Sequence, residues 1–252
     1  MGNLLIELFS EEIPAGLQEM GAKNLEQSFL SILQEEGVKF GRSEIYWSPM
    51  RITLCVKNVN SRADNIKIEK RGPRKDSHEL AIAGFAKSIG VKATQLIIKK
   101  TPKGYFYFYR YTKKGESSLK IIEKTLKKVI NNFSWNKSMR WGSGSLKWVR
   151  PLHSILCIYD KKPIIFSISD IKSGNFTCGH RFVSPKKIII KKYEEYVPKL
   201  KKSHVIVDAN KRIELIKNNG ERLSRRKNLI FKPSVSLLNE VANLVEYPYL
   251  FI

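Results

Sequence analysis

The sequence predicts an α+β protein built from mixed or antiparallel sheets with flanking helices. Segments of period two and segments of period 3.6 are interspersed along the chain without a regular βαβ alternation, which argues against a doubly wound sheet. Of the 252 residues, 42% are hydrophobic and 10% aromatic, enough to bury a core and to exclude wholesale disorder. No internal repeat or low-complexity segment interrupts the pattern.

Leu4–Phe9 forms an apolar first strand. Ser10-Glu11-Glu12-Ile13-Pro14 leads into a helix over Ala15–Glu36, with Leu17, Leu25, Phe29 and Ile32/Leu33 on one face and Gly37 placed to end it. Arg51–Val59 alternates Ile52, Leu54 and Val56 with polar neighbours, the pattern of a half-buried strand. Ile66–Lys70 continues as strand up to the Arg71-Gly72-Pro73 turn. Glu79–Ser88 is a short helix, and Tyr105–Tyr111 is an aromatic-rich strand entered through Pro102-Lys103-Gly104. Ser118–Asn132 is a basic amphipathic helix, with Leu119, Ile122, Leu126, Val129 and Phe133 inward and Lys120, Lys124, Lys127 and Lys128 outward.

Leu152–Tyr159 and Pro163–Ile168 form a hairpin around Asp160-Lys161-Lys162. Ile188–Ile190 and Val205–Val207 are short strands flanking a helix over Tyr193–Lys202. Asp208 caps a helix over Ala209–Asn219 that stops at Gly220. Ser236–Glu246 is a last helix. Tyr247-Pro248-Tyr249-Leu250-Phe251-Ile252 then starts an apolar strand, and an unpaired apolar edge there points to truncation. The irregular stretch 134–145, with Asn136, Gly142 and Gly144, is the expected hinge. It divides an N-terminal α+β region, 1–133, from a second, truncated α+β region, 146–252.

Charge is the outlier in composition. The 46 Lys and Arg against 23 Asp and Glu give +23, a field that favours polyanions, with nucleic acid first and acidic membrane surface second. The basic set is 33 Lys and 13 Arg, so part of the excess is a compositional bias toward Lys. An Arg in such a chain marks a place that needs a planar, bidentate donor. Cys55, Cys157 and Cys178 are far apart and form no C-x-x-C pair, which excludes a disulfide framework and a cysteine zinc site and fits a reducing compartment. The N-terminus lacks the basic start of a signal peptide, and no apolar run approaches the ~18 residues that span a bilayer. The expected location is the cytoplasm, with no membrane partner.

Enzymatic signatures fail. Gly142-Ser143-Gly144-Ser145 follows no strand and lacks Gly-Lys-Ser/Thr, there is no G-x-S-x-G elbow, and the four histidines are too dispersed for a metal site. No catalytic residue, metal ligand or cofactor is therefore expected in this chain. Glu11-Glu12 has two readings, a carboxylate pair for acid–base work or acids favouring the positive end of the following helix. Three clusters rise above this background: Met139-Arg140-Trp141-Gly142, Arg150-Pro151-Leu152-His153 and Gly179-His180-Arg181-Phe182. Each sets a guanidinium beside a ring, at or next to a turn. Arg forks onto phosphate and aromatic faces stack on unpaired bases, so the candidate RNA-binding residues are Arg140, Trp141, Arg150, His153, His180 and Arg181. Lys70 and Arg71, a basic pair beside a turn, join them. The competing reading has the arginines pairing carboxylates while Trp141 and Phe182 fill the core.

These clusters, in order, resemble the N-terminal part of the β subunit of bacterial heterotetrameric glycyl-tRNA synthetase. The resemblance is carried by Glu7 with Ser10-Glu11-Glu12-Ile13-Pro14, Ile68-Glu69-Lys70-Arg71-Gly72-Pro73, Gly84-Phe85-Ala86, Lys114-Gly115-Glu116-Ser117 and the three Arg clusters. It continues through Val205-Ile206-Val207-Asp208 with Arg212, then Leu237-Leu238-Asn239-Glu240-Val241 and Leu244-Val245-Glu246-Tyr247-Pro248. Phe9-Ser10 stand where that family usually has Gly-Thr, and Met50-Arg51 keeps one arginine of a usual pair. The family's chains continue far beyond Tyr247-Pro248.

The resemblance implies a division of labour. An α subunit carries the active site that activates glycine with ATP and Mg2+, the β subunit contributes tRNA(Gly) binding, and the assembly is α2β2. It also implies a likeness of this region to the B3/B4 module of phenylalanyl-tRNA synthetase. The alternatives are a residual truncated fragment and a stand-alone basic RNA-binding module. An editing-type hydrolase is least favoured, because a close-fitting glycine pocket already excludes larger amino acids.

Overall fold

A computed structural model of the chain describes residues 1–251. The chain forms two compact units, Ala63–Glu116 and a larger one made of Met1–Arg62 with the chain from Ser117 onward. The α+β class is as expected, but the division differs from a hinge at 134–145. Pairing decides this: the strand after that stretch lies in one sheet with the strand at the N-terminus, so the two sides of 134–145 share a core.

The larger unit is organised around β1 (Gly2–Ser10), which pairs antiparallel with β3 (Arg51–Val59) on one side and β7 (Leu152–Tyr159) on the other. Beyond β3 lies β2 (Ser43–Ser48). Beyond β7 lie β10 (Ile171–Gly174), joined in parallel, and β9 (Ser167–Ile168), while the short β8 (Lys162–Pro163) pairs with β7. The β7–β8 turn has positive φ at Asp160 (45°) and Lys161 (65°), the twist-matched hairpin conformation. The expected strand over Pro163–Ile168 is broken between β8 and β9: Ile164 N–H still donates to Cys157 O in the register of β7 and β8, but Phe166 N–H turns to Ser173 Oγ.

Both faces of β1 are covered. Leu5, with Cys55, Leu156 and Ile158 from its neighbours, packs with Ile190, Tyr196, Leu200, Val205 and Val207. The opposite face presents Leu4, Ile6 and Leu8, in register with Val56, Leu54 and Ile52. Helix α1 (Ala15–Glu35) lies against β2 and β3 and also against α3 (Ser118–Asn131). Gly37 at φ 74° ends α1 as expected. On α3 the inward set is Ile121, Ile122, Leu126, Val129 and Ile130, and Leu119 is exposed instead. Past α3, Phe133, Trp135 and Trp148 form one aromatic cluster with centroids 4.7–5.2 Å apart. Trp135 fills the space left by the missing side chain of Gly21 on α1. The stretch 134–145 is thus anchored at both ends.

Toward the C-terminus, β11 (Phe176–Cys178) pairs with β12 (Lys187–Ile189). After a 3-10 turn at Tyr193–Glu195 come α4 (Tyr196–Lys202), α5 (Ala209–Arg226) and α6 (Val235–Ala242). Asp208 caps α5 through Asn210 N–H (3.0 Å) and Lys211 N–H (3.3 Å). Gly220 does not stop α5; a Cβ there would stand 2.6 Å from the Phe231 ring, so glycine serves close packing inside the helix. Val205 and Val207 are buried, but the segment joins no ladder. Ile206 N–H goes to Glu246 O (2.8 Å), and Ile206 O accepts from Arg212 (2.7 Å). The expected strand at Tyr247–Ile252 does not form over 247–251, and Ile252 lies outside the described residues.

The smaller unit is a three-stranded antiparallel sheet in the order β4 (Ile66–Arg74), β6 (Gly104–Lys113), β5 (Ile97–Thr101), with α2 (Glu79–Ser88) against β4. Phe106 and Phe108 of β6 are buried, along with Ala86 of α2 and Ala63. Among the described residues no helix is long and apolar enough to cross a membrane.

Candidate nucleic-acid interface

The segment leaving β1 is fixed by its backbone. Ser10 N–H donates to Met50 O (2.8 Å), Glu11 N–H to Pro151 O (2.9 Å) and Ile13 N–H to Pro49 O (2.7 Å). Glu11 and Glu12 are thereby held beside the Arg150-Pro151 turn, and α1 starts at Ala15 with no acid in its first turn. Their side chains have partners. Glu11 Oε1 meets His153 Nε2 at 2.8 Å, and Arg181 Nη1 donates to Glu12 Oε1 at 2.8 Å, both pairs exposed.

The Arg181 loop is built to project. Gly179 N–H donates to Lys186 O and His180 N–H to Ser203 O (3.1 and 3.0 Å). His180 Nδ1 accepts from the backbone N–H of Phe182 (3.3 Å) and Val183 (3.4 Å). Ser184 O crowds the place where a Cβ of Gly179 would sit, so only glycine closes the loop. Phe182 at its tip is 75% exposed, with the Arg181 guanidinium 4.7 Å from its ring centroid. Phe182 is therefore no core residue.

Arg150 is exposed and turned back on Val149 O (3.0 Å). Arg140, exposed, and Trp141, half-buried, follow Met139, whose backbone is bridged to Trp148 in both directions (2.8 and 3.1 Å). The structure thus brings His153 and Arg181 to the Ser10–Pro14 segment, with His180 bracing the Arg181 loop, Arg150 adjoining, and Arg140 and Trp141 tethered through Trp148. Lys70 and Arg71 belong to the smaller unit, where both are exposed on β4 and Arg71 lies 3.6 Å over the Phe106 ring.

A second polar constellation is buried rather than displayed. Arg51 is fully buried and reaches Glu246 (3.0 Å), Glu7 (3.4 Å), Thr177 Oγ1 (3.1 Å) and Cys178 O (3.0 Å). Tyr196 OH donates to Glu7 Oε2 (2.5 Å) and Ser48 Oγ to Glu246 Oε1 (2.7 Å). Burial works against the charged Arg51, but Glu246 and Glu7 outweigh it and hold its pKa above the ordinary arginine value. Burial pushes the Tyr196 hydroxyl well up, with Glu7 adding to it. Nearby, Arg212 is buried and clamps Ala242 O (2.7 Å), Ile206 O (2.7 Å), Trp47 O (3.0 Å) and Asn243 Oδ1 (3.1 Å); burial lowers its pKa to about 10. Sequence reasoning did not foresee this centre, although an Arg in a Lys-rich chain was its signal. Its chemistry is fastening: it ties β1, β3, β11, α4 and the 242–246 segment together.

Among the described residues no three His, Cys, Asp or Glu side chains gather closely enough to hold a metal ion. Positive charge is unevenly spread. The smaller unit has 13 Lys and Arg against 5 Asp and Glu, a net +8 in 54 residues, against +15 in the other 198.

Comparison with known proteins places these features. The family described as glycyl-tRNA synthetase beta subunit matches residues 4–252. The glycine–tRNA ligase beta subunit of Paracoccus denitrificans is 38% identical over 98% of this chain and 37% of its own length. Those of Dinoroseobacter shibae and Ruegeria sp. are 39% and 37% identical over 98% of this chain, covering 35% and 37% of their lengths. The chain thus spans little more than a third of these relatives, their N-terminal part. With a match that runs from β1 to the C-terminal end, the chain belongs to the glycyl-tRNA synthetase beta subunit family.

Proposed function

We propose that this chain acts as the N-terminal portion of a glycine–tRNA ligase β subunit. In that role it contributes tRNA binding and α/β assembly to the ATP-dependent glycylation of tRNA(Gly). The α partner supplies the active site with its ATP and Mg2+, the assembly is α2β2, and it works in the cytoplasm. The observation that carries the RNA-binding part is the projecting Arg181–Phe182 loop beside His153 and Arg150: an exposed ring with a guanidinium over it is suited to an unpaired base and its phosphate. Arg140, Trp141, His180, Lys70 and Arg71 complete the proposed contact set. The net charge of +23 supports the same partner.

The experiment is charging of tRNA(Gly) by the α subunit mixed with this chain, compared with α alone, alongside co-purification of the two. Co-purification with charging above the α-alone level is the expected result. Neither complex nor added charging would overturn the reading and favour a residual fragment.

A further inference from the structure

The smaller unit carries a second surface with its own chemistry. In β6 every other residue from Tyr105 to Tyr111 is tyrosine, so Tyr105, Tyr107, Tyr109 and Tyr111 share one face of the sheet. Register places their cross-strand neighbours on that face too. Tyr109 is opposite Lys70 and Tyr111 opposite Ile68 on β4, while Tyr107 is opposite Ile98 and Tyr105 opposite Lys100 on β5. Lys113, opposite Ile66, ends the row. The other face holds Phe106 and Phe108, covered by Arg71 (3.6 Å from the Phe106 ring) and Lys99 (5.4 Å from the Phe108 ring).

Three features bear on what the tyrosine face takes. The rings are displayed: Tyr105 is 51% exposed, Tyr107, Tyr109 and Tyr111 are half-buried, and Tyr109 and Tyr111 lie nearly parallel, 20° apart with centroids at 5.7 Å. The charges on this face, Lys70, Lys100 and Lys113, are all positive and exposed. The single acid in the three strands, Glu69, faces the other way and is paired with Lys99 and Arg110. We infer that the tyrosine face of β4, β5 and β6 is a stacking platform for unpaired RNA nucleotides, with Lys70, Lys100 and Lys113 along their phosphates. Aromatic rings accept any base on their π-face, and flanking ammonium groups track the backbone without reading sequence. An apolar protein partner would leave these lysines to be desolvated without an opposite charge. This platform is distinct from the Arg181–Phe182 loop, and its operation does not depend on glycylation.

The test uses the full chain and a fluorescein-labelled decauridylate, followed by fluorescence anisotropy across a salt series. Tyr109→Leu with Tyr111→Leu keeps apolar volume and removes two π-faces. Affinity should fall about fivefold or more per stacked base, because each contact accounts for about a five- to hundredfold factor. The salt slope should stay unchanged, since no charge is lost. Lys100→Ser should instead lower the slope by about 0.7. Tyr105→Leu, at a more exposed site, decides the matter if the double variant does not fold by circular dichroism. Wild-type affinity in the folded tyrosine variants would overturn the inference. So would a concentration-dependent dimer in sedimentation that the tyrosine changes abolish while RNA affinity holds, since that makes the face a protein contact. Decauridylate is no substrate for charging, so this test and the charging experiment can fail independently.

Discussion

Replacing Arg51 by Met separates a fastening role from an RNA-contact role. The side chain is fully buried between Glu7 and Glu246, which are 0% and 5% exposed. Arg51→Met keeps much of the volume and removes the cation that bridges the two carboxylates. Thr177 Oγ1 and Cys178 O lose their donor as well. Removing one partner of a buried pair costs about 3–5 kcal/mol, because the remaining charge is left uncompensated. Against a total stability of about 5–15 kcal/mol this is a large share. With a urea m-value near 3 kcal/mol/M, the upper end of the range for small proteins, the midpoint should drop by about 1–2 M. The assay is urea unfolding followed by far-ultraviolet circular dichroism. A triple change, Glu7→Gln with Arg51→Met and Glu246→Gln, should recover much of the loss, since none of these three ions is then left buried without its partner. A midpoint within about 0.3 M of wild type for Arg51→Met, where the expected shift is several times larger, would refute the reasoning. So would loss of tRNA affinity at unchanged stability, which would assign Arg51 to RNA.

Other predictions follow from the same geometry. Arg181→Ala should lower tRNA affinity several-fold in a fluorescence titration without lowering Tm, because its exposed pair with Glu12 contributes about 0–1 kcal/mol; Glu12→Gln should raise that affinity by freeing the guanidinium. Gly21→Ala should destabilise by about 1–3 kcal/mol in urea unfolding despite alanine's better helix propensity, since the Trp135 ring occupies the space. Gly84→Ala, with nothing near its missing side chain inside α2, should stabilise by about 0.5–1 kcal/mol. Hydrogen bonds from Lys57 and Tyr193 hold the Glu44 carboxyl down to about 2 from 4.5, partly opposed by burial. A depressed carboxyl contributes stability that is fully present above the unfolded value and is lost as pH falls through the folded one. Glu44→Gln should therefore flatten the stability profile between pH 4.5 and about 2, measured by urea midpoints in that window.

What the sequence made legible follows from how local each signal is. β1 and β3 were visible through apolar runs and alternation, α1 through Pro14 and Gly37, and the start of α5 through Asp208. The edge strands β2 and β5 were not. β2, Ser-Glu-Ile-Tyr-Trp-Ser, mixes polar and aromatic residues because it lies at the sheet's edge, and Lys99-Lys100 disguise β5. The division of the chain depends on β1 finding β7 across about 150 residues of sequence, which no local pattern reports. Gly220 looked like a helix stop because a glycine needed for packing against Phe231 and one needed for a turn are the same letter. At the site, residue type suggested the Arg and His clusters, but whether Phe182 filled the core or faced solvent was settled only by the loop's backbone. The bias toward Lys gave the arginines meaning, and Arg51 and Arg212 are buried planar forks. That they fasten the fold and do not face RNA required their neighbours.

The central claim, a cationic protein surface that holds tRNA, is tested most directly by titrating fluorescent tRNA with the chain between 50 and 200 mM salt. Counterion release predicts a linear fall of log affinity with log salt, about 10³-fold or more over this range for six or more phosphate contacts. Binding that does not change with salt, or no binding at the lowest salt, would contradict it.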